Sequence, residues 1–210
     1  MNKELVSRAY LCEVRAEQNE RGNIITGRPI VYNSRTDLGY FDEIIDSGAL
    51  DGTDLTDVRF LVNHNTKGIP LARSRRNNGN STMQLTPIAE GMDMWATVDT
   101  ENNTEARALY SAVGRGDISG MGFMFSIDEE RWENLESDHP TRHILKIGSI
   151  VEISAVTFPA YEATNIQVQE RSKEALESAR AALENARQQT PATVDTELEL
   201  LKARANLLTI

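Results

Sequence analysis

The sequence has 210 residues, with 32 Asp and Glu against 22 Lys and Arg, for a formal charge of −10. That length supports one domain, or one domain with an appendage, around a core that needs neither disulfides nor metal. The acidic balance argues against a protein that coats nucleic acid through a basic footprint, and a lone Cys12 excludes an internal disulfide framework.

Taken from the N-terminus, Ala9–Arg15 has strand character, and the turn Arg21-Gly22-Asn23 introduces a second strand over Ile24–Asn33. Asp42–Ser47 fits a short element before Gly48, and the apolar, β-branched Val58–Val62 fits a buried strand. Arg76-Asn77-Asn78-Gly79-Asn80 is a turn that predicts a hairpin between Leu71–Arg75 and Ser81–Pro87. Met92, Met94, Ala96 and Val98 alternate onto one face of a further strand. Thr104–Val113 predicts a helix capped by Thr104 and ended by Gly114. Ile118–Ile127, Arg142–Ile147 and Ile150–Phe158 complete the strands.

Many short strands with few helices predict a mostly β, α+β fold: an antiparallel β-barrel with flanking helices. The texture changes near residue 168. Ala175, Leu176, Ala179, Ala182, Leu183 and Ala186 share one helix face. After Pro191, Val194, Leu198, Leu201, Ala205 and Leu208 follow heptad steps. We therefore divide the chain into a β domain, 1–168, and a helical tail, 169–210. The tail is either a helical hairpin folded onto the barrel or a detachable arm that pairs with other chains. No apolar run approaches the ~20 residues that span a bilayer, and Met1–Leu5 lacks an export-signal pattern. The expectation is a soluble protein of a reducing compartment, with neither membrane nor nucleic acid as partner.

Few residues can carry chemistry. His64 ends an apolar strand and enters a polar loop, where a side chain can reach a substrate. His139 and His143 are four apart, but Pro140 argues against the helix that chelation would need. Cys12 sits inside a strand pattern, where thiols are usually inert. Arg73, Arg75 and Arg76 fit a solvated hairpin. Gly114, Gly116, Gly120 and Gly122 crowd an otherwise apolar strand, as a bulge or a close backbone approach would require. Glu152 lies on an apolar strand, where a charge needs a partner, either an arginine or a histidine that it orients.

Between about residues 24 and 166 these stretches stand in a specific order. Ile25-Thr26-Gly27 leads to Tyr32-Asn33, Leu38-Gly39-Tyr40-Phe41-Asp42-Glu43 and Ser47-Gly48-Ala49-Leu50. Leu61-Val62-Asn63-His64-Asn65, Pro70-Leu71-Ala72-Arg73, Arg115-Gly116-Asp117-Ile118-Ser119-Gly120-Met121 and Glu152–Tyr161 follow. The ordered set resembles the tailed-phage prohead proteases, serine peptidases related in fold to the herpesvirus maturation proteases.

The resemblance implies that His64 is the general base and Glu152 the acid that orients it. It places a serine nucleophile where this chain has Gly122. Three accounts remain open: a deliberate inactivating substitution, a naturally dead homologue serving as an assembly or scaffolding factor, or Ser119 as the nucleophile. Residues three apart on a regular strand face opposite sides, which counts against Ser119. The chemistry implied is acyl transfer without metal or organic cofactor, with glycine-rich backbone N–H groups as an oxyanion hole. The resemblance further implies work inside the prohead in the host cytoplasm. The partners it implies are the major capsid protein with its scaffold segment, and a second copy of the chain as a homodimer. The resemblance implies an enzyme that cuts the scaffold and itself, with the tail as an assembly arm or a self-cleaved segment.

Overall fold

The structure, a computed structural model, describes residues 4–158 and 166–189. Among these the chain forms eleven strands and two helices. They are β1 (Leu5–Leu11), β2 (Val14–Asn19), β3 (Gly22–Val31), β4 (Arg35–Asp37), β5 (Asp42–Ile45), β6 (Asp57–Val62), β7 (Ala72–Arg75), β8 (Met83–Ile88), β9 (Gly91–Thr97), α1 (Thr104–Gly114), β10 (Gly120–Glu133), β11 (Thr141–Val156) and α2 (Ile166–Gln189). The mostly β, α+β expectation holds.

The barrel does not close. The strands form two sheets: a seven-stranded one along β1-β10-β11-β5-β4, with β6 on β11 and β7 on β6, and a four-stranded antiparallel one, β2-β3-β9-β8. Closure requires every edge strand to find a partner. Here β1, β4, β2 and β8 end their paths, and β4 is only three residues long. The larger sheet is also mixed. The 16-residue β11 is its spine: β10 runs antiparallel along one edge, while β5 and then β6 pair parallel along the other. Parallel neighbours of this kind leave no short-range mark in the sequence.

The two sheets share one apolar core. Ile25, Met83, Met92 and Ala96 of the smaller sheet meet Phe123, Phe125 and Ile153 of the larger. The predicted face Met92, Met94, Ala96 and Val98 is buried throughout. Helix α1 packs on β2 and β3 through Ala106, Leu109 and Val113, spaced for one helix face. Its cap is Asn103 rather than Thr104, accepting from the N–H groups of Glu105 and Ala106 at 3.0 and 3.1 Å. It ends in a Schellman turn: Gly116 donates to Val113 O and Asp117 to Ala112 O, with Gly116 at φ 78°. Gly114 and Gly116 thus belong to a helix end, and only Gly120 and Gly122 lie in the strand.

Three other expectations change. The first strand breaks at Cys12-Glu13 into β1 and β2, which enter different sheets. The hairpin around Arg76–Asn80 is a crossing between sheets: β7 pairs with β6, and β8 with β9. Side chains replace ladder acceptors there, with the N–H groups of Arg73 and Arg75 donating to Thr82 Oγ1 and Ser81 Oγ at 2.9 Å each. The two strands expected on either side of Gly148 are one strand. A Cβ at Gly148 would lie against Asp128 Oδ1 and 2.8 Å from Ser126 Oγ, so glycine permits the bulged β10 to stay close.

A buried ion network ties β1 to β5 and β11. Arg8 grips Glu43 with two bonds, Nε to Oε1 at 2.6 Å and Nη2 to Oε2 at 2.8 Å. Arg142 Nη1 lies 3.6 Å from Glu43 Oε2, and its Nε donates to Glu130 at 2.9 Å.

Helix α2 rests on the far end of the β10–β11 pair. Leu176 packs with Leu38 and Phe41, against Trp132 and Leu135. Arg180 donates to the Leu135 and Ser137 carbonyls at 3.0 and 2.7 Å. Leu176→Ala removes the central apolar contact of this docking, at about 2–5 kcal/mol for a buried leucine. Hydrogen exchange should then rise across 166–189 and stay slow in β10 and β11. Unchanged protection of α2 would contradict this account of how it is held. The heptad positions Val194–Leu208 lie outside the described residues.

Candidate active site

β6 ends at Val62, and the chain reverses through Asn63 and His64, both at positive φ, 50° and 54°. Asn65 N–H closes the turn on the Val62 carbonyl at 3.0 Å, the signature of a type I′ turn. Asn and His are among the non-glycine residues that enter this region most readily, which gives the Asn63-His64 pair a backbone reason. The Asn63 carboxamide also clamps Thr157: Oδ1 accepts from its N–H at 2.9 Å and Nδ2 donates to its Oγ1 at 3.1 Å. Asn63→Ala removes these bonds and the polar side chain that lets asparagine tolerate a left-handed position, an expected loss of about 1–2 kcal/mol in urea unfolding. Asn63→Gly should lose less, because glycine recovers the backbone part.

The turn carries His64 against β11. Its Nδ1 bonds to Glu152 Oε1. Glu152 is 2% exposed, so its charge needs partners. Its second oxygen, Oε2, accepts from Ser154 Oγ at 2.6 Å, and Ser154 Oγ accepts from the His64 backbone N–H at 3.0 Å.

β10 closes the other side. Gly122 pairs with Ser154 of β11 and with Ala9 of β1. A Cβ placed on Gly122 would press on His64 Nε2, 2.5 Å from Cε1 and 2.7 Å from the Arg8 carbonyl oxygen. The imidazole therefore occupies room that any side chain at 122 would claim.

The structure thus brings His64, Glu152 and Gly122 together. Ser119 lies elsewhere: it precedes β10, is exposed, and its carbonyl accepts from Cys12 N–H at 3.1 Å. The N–H groups of Arg115, Gly116 and Asp117 are spent on the end of α1, which removes them as oxyanion donors. His139 and His143 turn to different carboxylates. His139 meets Asp42 and Asp37 at 3.3 and 3.7 Å, and His143 Nδ1 meets Asp46 at 2.8 Å. Burial pushes the Cys12 thiol up, away from the reactive thiolate. Arg73 is held by Asp57 through bonds of 2.5 and 2.7 Å. A cavity of about 490 Å³ under α2 is lined by Arg8, Phe41 and Arg142, and by none of His64, Gly122 or Glu152.

The profile of the family described as caudovirus prohead serine protease matches residues 11–179. The chain belongs to that family. No curated protein and no solved structure matches it. The family match covers β2 through β11 and runs into α2, so the His64–Glu152 pair and Gly122 all fall inside it. Ser154 was not foreseen from the sequence. The signal was available: Glu152-Ile153-Ser154 sets two polar side chains on one face of an apolar strand, where each needs a partner.

Proposed function

We infer that the chain has the prohead protease role in phage capsid maturation to which its family points, inside the procapsid in the host cytoplasm. We propose that His64 is the general base, that Glu152 orients it, and that position 122 is where the family's nucleophile belongs. The observation that carries the reading is the imidazole itself: Nδ1 is held by a buried carboxylate while Nε2 points into the space of the missing side chain.

With serine at 122, the hydroxyl would attack a scissile carbonyl carbon as His64 takes its proton. The tetrahedral intermediate would collapse as His64 returns that proton to the leaving amine. Water would then release the acyl group by the same route. Glu152 fixes the imidazole tautomer and stabilises the imidazolium. With glycine at 122 there is no atom to form the acyl bond, so the chain binds its substrate and leaves it uncut. Its substrates are the scaffold segment of the capsid protein and the chain itself, and it works as a homodimer.

Gly122 equally favours a second reading, a dead homologue that acts as an assembly factor. Intact mass followed over time separates the two, for the chain, Gly122→Ser and Gly122→Ser with His64→Ala, each with and without capsid protein. Cutting by the first variant alone supports the protease. A Gly122→Ser chain that stays whole and leaves capsid protein whole supports the assembly factor.

A further inference from the structure

We infer that Ser154 is a positioning residue for the His64–Glu152 pair, an inference that rests on the catalytic reading above. Ser154 has no exposed surface, and its hydroxyl bonds to both members of the pair. The ladder between β6 and β11 ends just before His64. Asn63 N–H donates to the Ala155 carbonyl at 2.9 Å, and the next N–H, that of His64, donates to the Ser154 hydroxyl instead. A side chain therefore extends the hold of β11 by one residue, onto the residue that bears the imidazole.

The direction of the relay follows from chemistry. A backbone N–H can only donate, so the hydroxyl accepts from His64 and has its own proton left for Glu152. That proton fixes Oε2, which leaves Oε1 facing Nδ1. One hydroxyl thus sets the backbone of the base and the rotation of the carboxylate together. Alanine can do neither. Cysteine keeps the shape but is a weak donor and a weak acceptor.

Two measurements test this. In the chain as it stands, the Nδ1–H bonded to the Glu152 carboxylate should give a downfield proton resonance, assigned by its loss in His64→Ala. Ser154→Ala and Ser154→Cys should shift or abolish it. In the Gly122→Ser background, the same substitutions should lower the self-cleavage rate by about tenfold to a hundredfold, the size of one hydrogen bond to a charged group. Ser154→Cys keeps the test valid if Ser154→Ala does not fold. An unchanged resonance with an unchanged rate in a folded Ser154→Cys chain would overturn the inference. So would cleavage by the Gly122 chain that Ser154→Ala abolishes, since Ser154 would then be the nucleophile. If Gly122→Ser never cleaves, the protease reading fails, while the resonance still decides the role of Ser154.

Discussion

Gly122→Ser is expected to raise cleavage by about six orders of magnitude, the loss that follows removal of a triad nucleophile. At about 1.4 kcal/mol per decade, that is roughly 8 kcal/mol of barrier. The lever is this large because base and orienting acid are already in contact. The serine does not enter for free. Its Cβ meets the His64 ring and, 2.7 Å away, the Arg8 carbonyl. The ring is the far end of a side chain and can pivot away, whereas the Arg8 carbonyl is backbone. Overpacking of this kind costs about 1–3 kcal/mol of stability. Gly122→Ala is the control: it carries the same Cβ and no hydroxyl, so it should lose the same stability and gain no activity. If folded Gly122→Ser and Gly122→Ala chains cut equally, with capsid protein supplied, the nucleophile lies elsewhere; if neither cuts, the assembly-factor reading stands.

The second large effect is on stability. Glu43→Ala should destabilise the fold by about 3–5 kcal/mol, because it leaves Arg8 and Arg142 buried without their shared carboxylate. That is a large share of the roughly 5–15 kcal/mol that holds a typical domain together. Burial alone pushes the Glu43 carboxyl up; the charge of Arg8, its hydrogen bonds and then Arg142 outweigh it and hold the carboxyl below its ordinary value. The pairing therefore stabilises fully at neutral pH and down to the ordinary glutamate range near about 4.3. It is lost as pH falls further, through the depressed folded value. Urea unfolding from pH 7 downward should show the gap between the chain and Glu43→Ala closing only in acid. A gap below about 1 kcal/mol at pH 7 would mean that the two arginines find other partners or reach water.

What could be read in the sequence was local. The alternation Met92, Met94, Ala96, Val98 named its own buried face, and Ala106, Leu109 and Val113 named a helix. His64 and Glu152 were legible as unusual residues at the end of one strand and inside another. Pairing was not legible. Arg76–Asn80 has the composition of a hairpin turn, yet its flanking strands join different sheets, because β6 and β9 are better partners than each other. Gly148 looked like a break, because a glycine between apolar runs reads the same whether the strand ends or a neighbour presses close. Closure of the barrel failed for the same reason: it depends on which distant edges meet. Ser154 escaped because its role exists only once residue 64 lies beside it.

The spine position of β11 has a consequence for timing. His64 and Glu152 are 88 residues apart in sequence, and their contact forms only when β11 docks between β10 and β6. Closing so long a loop is slow compared with forming local structure. During synthesis, His64 leaves the ribosome long before its carboxylate exists. A chain made short of Glu152, or one with β11 undocked, therefore lacks the base–acid pair. In a relative that keeps its serine, this order of assembly is a safety interval: the peptidase has no oriented base until β11 is in place.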